Sequence, residues 1–590
     1  MADKIYKPKR EEIKTHKTGT NFSVKKNGNG KKRLYDEYSK EDFVAEIEQL
    51  KKRKKYGLVW EEQEEKFDKD TIGKLPVLKE VKNREIKTDK KLPVNLLIEG
   101  DNYHSLSVLN YTHEKSVDVI YIDPPYNTGS KDFIFNDSYV NKEDAYLHSK
   151  WLSFMEKRLK LAKNVLKNTG VIFISINDIE LAQLKLLMDD VFPSGFLSVL
   201  VWENREGGGS SDSKHFKIKH EYILAYAKDP AKAIIHQEEI PDEAAYTHSD
   251  KYEKERGKHK LIKLNSASIQ YSKSLDYPII APDKTKIYPS FKHKKACWRW
   301  SMKKVEWGMK SEFIKIDKDR KGNWVVYSKQ YLKVDNENNP IERQRPPLGV
   351  IPLFSSTMAT KQLENIFHKK VFDYSKPYPL IEYLLKLSTD KNSVILDFFA
   401  GSGTTGHSVL SLNRQDKGER RFILCTNNED NGERGLKIAT DICYPRIEKV
   451  MRGYKDLKGN EVNGLGSNLK YFKTSFVDAT PTDENKKKLT AQSTEMLCVR
   501  ENTFEEVLSK KDFKIFKNDK KHTGIVFDQA AISDFKKEAK KIQGPIHTYI
   551  FSLEDEDFAP EFADMDGRII VSPIPEAILR VYRRIFSIKI

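Results

Sequence analysis

The run Val117-Asp-Val-Ile-Tyr-Ile-Asp-Pro-Pro-Tyr126 leaves the backbone few choices. Val117 to Ile122 is rich in β-branched and aromatic residues, the pattern of a short strand buried on both faces. The strand must stop at Asp123, because Pro124 and Pro125 each lack a backbone N–H and each fix φ. Asp123 to Tyr126 therefore form a stiff turn that presents a carboxylate, backbone carbonyls and an aromatic ring. In open α/β sheets, ligands bind just outside the carboxyl ends of the strands.

Such a turn suits chemistry at a nucleobase amino group, a poor nucleophile because its lone pair is delocalised into the ring. The Asp123 carboxylate and the Pro124 carbonyl can each accept an N–H, drawing the nitrogen towards a tetrahedral shape and freeing the lone pair. Tyr126 offers a face for stacking, which has a use only if the base is turned out of its helix. The plain alternative is a strand ending in a rigid turn that caps a helix. A second stretch bears on the choice. Ser393-Val-Ile-Leu-Asp-Phe-Phe-Ala-Gly-Ser-Gly-Thr-Thr-Gly406 is another apolar strand, running into a Gly-rich turn. Gly401 and Gly403 permit close approach of the backbone to a ligand, and a helix is expected to start near Thr404.

Around these stretches strands and helices alternate: Val94–Asp101, the helix through Leu106, Tyr146–Leu166, Val171–Asn177, Ile179–Val191, Phe196–Trp202 and His220–Ala227. Alternation of this kind predicts an α/β fold with a doubly wound, mostly parallel, Rossmann-like sheet. The predicted division is a basic N-terminal arm and helix (1–90), a first half of the sheet domain (91–227), an insertion (228–375), a second half (376–455) and a C-terminal α/β unit (456–590). Residues 1–35 hold eleven Lys/Arg against three acidic residues. The insertion breaks the alternation and interleaves Trp, Tyr and Lys, as in Cys297-Trp-Arg-Trp300. A net charge of +17 (104 basic against 87 acidic) suits a polyanionic partner, and equally a Lys-rich proteome. Four cysteines without a C-x-x-C pair argue against structural zinc and a disulfide framework, so no metal is expected. No signal peptide or membrane-length apolar run is visible, which predicts a cytoplasmic protein without membrane contact.

The Asp-Pro-Pro-Tyr turn and the Gly-rich loop resemble the two signature motifs of the DNA amino-methyltransferases, which methylate adenine N6 or cytosine N4. Their order, with an insertion between them, is similar to the β group. Asp-Pro-Pro-Tyr-Asn-Thr-Gly129, the length and both terminal regions resemble the modification subunit of type III restriction–modification systems. The resemblance implies catalysis by Asp123, Pro124, Pro125 and Tyr126, and S-adenosylmethionine as cofactor. Asp101, in a Gly-Asp after the first strand, would contact the cofactor's adenosine side, or simply cap its helix. Lys376 and Pro377 would line the pocket, although Pro377 also reads as a proline at the first position of a helix. Asp123, Asp397, Phe399, Gly401, Gly403 and Thr404 would surround the methionine moiety. Glu429 is assigned to the ribose, a little beyond the expected strand end.

The implied partners are double-stranded DNA, a second copy of the chain and a separate ATP-dependent restriction subunit, since this chain has no Gly-x-x-x-x-Gly-Lys-Ser/Thr loop. Asp rather than Ser at position 123 favours adenine. Cytosine N4 methylation, RNA methylation and a silent DNA-binding specificity subunit are the alternatives.

Overall fold

A computed structural model describes Trp60, Glu65 and residues 73–586, apart from 130–132, 136–137, 206–215, 240–244, 267–269, 292–293, 353, 431–434, 481, 554–555 and 566. The basic arm, and all but two residues of the helix expected near Lys40–Lys69, lie outside the described residues.

A ten-stranded sheet organises the rest. In chain order its strands are β1 (Lys74–Glu80), β2 (Val94–Glu99), β3 (Val117–Ile122), β4 (Leu166–Ile176), β5 (Phe196–Glu203), β6 (His220–Ala227), β7 (Val350–Ile351), β8 (Val394–Asp397), β9 (Arg421–Thr426) and β10 (Asn468–Asp478). Side by side they run β1-β10-β2-β9-β8-β3-β4-β6-β5-β7. From β10 to β4 every pair is parallel. β6 is antiparallel to both neighbours, and β1 is antiparallel to β10. The sheet is thus mostly parallel, as its apolar strands predict.

Within β3 only Asp118 interrupts the buried run. Its carboxylate accepts from Lys167 Nζ at 2.7 Å and from the Val394 amide at 2.8 Å, so the lone charge ties β3 to β4 and β8. Leu97, Val119, Ile223, Ile395 and Leu424 of the strands pack with Leu384, Leu410 and Ile447 of helices in one core. Burying each such side chain contributes about 1.5–3 kcal/mol. The helices that matter for the site are α1 (Asn102–Thr112), α2 (Leu147–Val165), α3 (Tyr378–Ser388), α4 (Thr404–Asp416) and α5 (Tyr444–Arg452).

The sheet reaches past three of the limits drawn from sequence. β1 lies before residue 91, and β10 lies after residue 455 yet pairs with β2. Leu469 and Tyr471 of β10 enter the core while Lys470 meets Glu80 and Glu85 at 2.5 Å each, so the strand serves two layers at once. Within the insertion, β7 joins β5, and the helix Ser356–Phe367 buries Ile366 in the sheet's core. The remaining insertion has its own core of Leu264, Trp298, Phe313, Val326 and Tyr331, around a sheet of His259–Lys263, Trp324–Tyr331 and Ile314–Lys318.

The C-terminal unit is a five-stranded sheet, ordered Glu505–Ser509, Phe513–Lys517, His522–Val526, Ile546–Phe551, Ile569–Ile574. Its helix Thr494–Glu501 docks on α1: Arg500 donates to the Tyr111 carbonyl at 2.8 Å. Its last helix, α6 (Glu576–Phe586), buries Ile578, Leu579 and Tyr582, and the Tyr582 hydroxyl reaches the Pro76 carbonyl. Among the described residues no helix is long and apolar enough to cross a membrane.

Candidate functional site

Because β2, β9, β8 and β3 are parallel neighbours, the segments after their carboxyl ends fall on one edge of the sheet. Asp101 follows β2, Glu429 follows β9, the Gly-rich loop follows β8, and Asp123 follows β3 directly. Backbone bonds hold the edge together. The Gly100 amide donates to the Thr426 carbonyl at 3.0 Å, and the Ala400 amide to the Cys425 carbonyl at 3.1 Å. Asn102 Nδ2 reaches the Phe398 carbonyl at 3.2 Å.

The Asp-Pro-Pro-Tyr turn is braced from α2. Trp151 Nε1 donates to the Pro125 carbonyl at 2.8 Å, while the carbonyl assigned to the amino group is that of Pro124. Asn127, buried with a left-handed φ of 59°, donates to the Leu147 carbonyl at 3.2 Å and to Glu180 Oε1 at 2.6 Å. A short polar side chain tolerates that conformation best. Phe133, an aromatic of the following loop, is buried in an edge contact with Phe154 at 5.2 Å, so it belongs to the core.

Asp123 meets Lys376, whose Nζ lies 3.0 Å from Oδ1. The resemblance implies that Lys376 lines the cofactor pocket; the structure sets it between two carboxylates beside the Asp-Pro-Pro-Tyr turn. Its ammonium is 3.4 Å from Glu221 Oε2, 4.9 Å from the centre of the Tyr126 ring and 5.9 Å from that of Trp202. Tyr126 donates its hydroxyl to Glu221 Oε2 at 3.0 Å, and Asn204 Nδ2 donates to Oε1 at 2.7 Å. Burial pushes the Asp123 carboxyl up, against the pull of Lys376. Burial would lower Lys376, but Asp123 and Glu221 together hold it above its ordinary value. Glu221, despite burial, is held below the usual carboxylate range by Lys376, Tyr126 and Asn204.

The Gly-rich loop is held from within. Asp397 accepts from the Phe399 amide at 2.9 Å and from the Thr405 hydroxyl at 2.5 Å, and burial pushes its carboxyl to about 7. Both oxygens therefore shape the loop. Gly401 has φ +49°, and a Cβ there would stand 3.3 Å from Phe372 Cζ. At Gly403, φ +80°, a Cβ would meet Cys443 Sγ at 3.1 Å, so the missing side chain lets the start of α5 approach the loop. Thr404 begins α4 as expected, and its hydroxyl accepts from Arg446 at 2.7 Å. The Ser375 hydroxyl lies 2.9 Å from that of Ser402 and 3.1 Å from that of Thr404, which ties the loop to the residue before Lys376.

The remaining predicted residues divide. Asp101 is the N-cap of α1, accepting from the Tyr103 amide at 2.7 Å, with Arg158 at 3.5 Å from its other oxygen. Pro377 is the N-cap of α3 and not its first residue; Pro379 takes the place in the first turn that suits proline. Phe399 is half-buried beside Phe398 and Phe154, and Glu429 is exposed three residues past the end of β9.

Sequence reasoning missed Glu221, Asn204 and Trp202. The signal was a charge near the start of an apolar strand, His220-Glu-Tyr-Ile-Leu-Ala-Tyr-Ala227, whose meaning depends on the strand's direction. Only because β6 runs antiparallel do its first residues reach the edge where β3 ends.

The DNA methylase family matches residues 117–433, more than half of the chain. The Mod subunit of the type III restriction-modification enzyme StyLTI of Salmonella typhimurium is 32% identical over 421 residues, 66% of this chain and 61% of its own length. The EcoPI Mod subunit of Escherichia phage P1 is 32% identical over 437 residues, 64% of this chain and 65% of its own. The type II methyltransferase M.KpnI of Klebsiella pneumoniae is 30% identical over 391 residues, 62% of this chain and 89% of its own. This chain thus spans less than two thirds of the length of the two Mod subunits. With the family match running from the first residue of β3 through the Gly-rich loop and past the end of β9, the chain belongs to the DNA methylase family.

Proposed function

We propose that the chain is a site-specific DNA methyltransferase that modifies adenine N6 of a base turned out of the duplex, with S-adenosylmethionine as methyl donor. The observation that carries this reading is the pairing of β8 with β3, which sets the Gly-rich loop beside Asp123 and Tyr126. The residues at that edge fit the cofactor. Asp101 and Glu429 supply acceptors for hydroxyl and ammonium groups, Phe399 a half-buried ring, and residues 399–403 a glycine-bearing loop. Bound S-adenosylmethionine would supply an electrophilic methyl, its C–S bonding electrons staying on sulfur as the amino lone pair bonds to the carbon.

The chain's own residues do the rest. Asp123 accepts one amino N–H and the Pro124 carbonyl the other, which localises the lone pair. The extra proton then leaves the nitrogen, and a carboxyl raised by burial is well suited to receive it and pass it to water. Tyr126 stacks on the base. Positioning and electrostatics carry the rate, with no covalent enzyme intermediate. Residues 245–343, the part of the insertion with its own core, would read neighbouring base pairs. The Mod names of the relatives support a modification subunit of a restriction-modification enzyme. The same reading takes the protein as cytoplasmic, acting as a dimer beside a restriction subunit, with the C-terminal unit serving for partner docking, dimerisation or DNA contact.

The test is transfer of tritiated methyl to genomic DNA lacking this modification, followed by nucleoside analysis. N6-methyladenine at one sequence is expected; N4-methylcytosine would overturn the base assignment, and no transfer to any DNA would overturn the activity.

A further inference from the structure

Glu221 has no task in the reaction as written, yet it touches three groups of the site. Its side chain is 21% exposed, and it holds the Tyr126 hydroxyl, the Asn204 amide and the Lys376 ammonium at 3.0, 2.7 and 3.4 Å. The same ammonium lies 3.0 Å from Asp123. One cation is therefore shared by two carboxylates, and the set keeps one excess negative charge.

That excess matters for an amino group. A carboxylate paired with a cation of its own has its charge cancelled, and the cation competes with the amino N–H for the same oxygen. The cation also repels the positive charge that the nitrogen gains as its lone pair bonds to carbon. Such terms are strong in a site from which water is largely excluded. Lys376 cannot simply be dispensed with, because burial alone would favour a protonated Asp123, which no longer accepts on that oxygen.

We propose that Glu221 is a positioning residue for methyl transfer: it takes up a share of the Lys376 ammonium, so that the Asp123 carboxylate is left open to the target amino group, and it fixes the Tyr126 ring through its hydroxyl. The proposal rests on the reading of the site as that of an amino-methyltransferase. A strut between β6 and the catalytic turn would need only the shape of the side chain, and glutamine has that shape.

The experiment uses the full chain with its DNA site. Initial rates of methyl transfer are measured for wild type, Glu221→Gln and Glu221→Asp, with calorimetry for S-adenosylmethionine and a gel-shift Kd for DNA. Glu221→Gln is expected to lower kcat about 10- to 100-fold while KM for DNA and both Kd values change by less than about threefold. Glu221→Asp keeps the charge and is expected to hold kcat within about fivefold of wild type. Wild-type kcat in Glu221→Gln, an equal loss in Glu221→Asp, or a loss of binding that matches the loss of rate each overturns the proposal. If Glu221→Gln does not fold, Glu221→Asp decides alone, retention of kcat supporting the proposal and its loss overturning it. An inactive wild-type protein would instead overturn the functional reading, and this proposal with it.

Discussion

Asp123 and Gly403 show how differently two residues of one motif set can be employed. Asp123 sits where burial favours its neutral form and the Lys376 ammonium favours its charged form, and only the charged form can accept an amino proton at either oxygen. Removing it should therefore abolish transfer: Asp123→Ala and Tyr126→Ala are each expected to cost more than about 100-fold in kcat, with cofactor affinity retained in Tyr126→Ala. Tritium transfer beside calorimetry checks this, and wild-type turnover in either variant refutes it. The two glycines separate in the same way. Gly401→Val presses on Phe372 and on whatever the loop holds, so cofactor affinity should fall about tenfold or more in a folded protein. Gly403→Ala forces a side chain into a left-handed conformation beside Cys443 Sγ, and should cost about 1–3 kcal/mol of stability. Both glycines hold a left-handed φ, so denaturant unfolding should show a loss of stability in either variant; unchanged cofactor affinity in a folded Gly401→Val would count against the pocket.

At the scale of elements, the helix Thr494–Glu501 joins the C-terminal sheet to α1, whose first residue follows Asp101. Glu501 anchors that helix to its own sheet, with Tyr549, His547 and Lys521 at 2.7, 3.0 and 2.5 Å. Burial alone would raise this carboxyl, but hydrogen bonds from His547, Lys521 and Tyr549 depress it from 4.5 to about 2. A depressed folded value contributes stability that is fully present above the unfolded value near 4.5 and is lost as pH falls towards 2. Glu501→Gln is accordingly expected to destabilise by about 2 kcal/mol at pH 7, discounted for partial solvation, and by much less at a pH of about 2.5. Equal losses at both pH values in urea melts would refute the assignment. The α6 helix offers an independent check. Ile578→Ala opens a cavity in a fully buried face and should cost about 2–5 kcal/mol.

For the whole molecule, the question is which part reads the DNA. Residues 245–343 fold around a core separate from that of the main sheet, whereas β7 and the helix Ser356–Phe367 belong to the main sheet's layers. Exchanging 245–343 with the matching segment of a relative should move the methylated sequence and spare the chemistry, while exchange of the full 228–375 should also lower stability by removing Ile351 and Ile366 from the core. Methylome sequencing of the chimera is the measurement, and a site that stays with the parent catalytic sheet would place recognition elsewhere. Single Lys→Ala changes in that segment should weaken binding to all sequences and reduce the salt dependence, each lost phosphate contact lowering the slope by about 1.

Local chemistry was enough for much of this. The strand at Val117–Ile122, its stop before Pro124, the helix start at Thr404 and the alternation that makes an α/β sheet all come from period, proline and glycine, which act within a few residues. Both motifs of the site were legible for the same reason. The partnership of Lys376, Glu221 and Asn204 with Asp123 was not, because it depends on sheet order and strand direction. β6 runs against β4, so Glu221 arrives at the edge where β3 ends; had β6 been parallel, the same carboxylate would lie at the opposite edge. Nor do local patterns reveal that β10 pairs with β2, and β1 with β10, to extend the sheet on that side. Pairing between segments nearly 400 residues apart, Tyr471 with Glu99 among them at 2.6 Å and 372 positions, is decided by the closing of the whole core and not by either segment's own sequence.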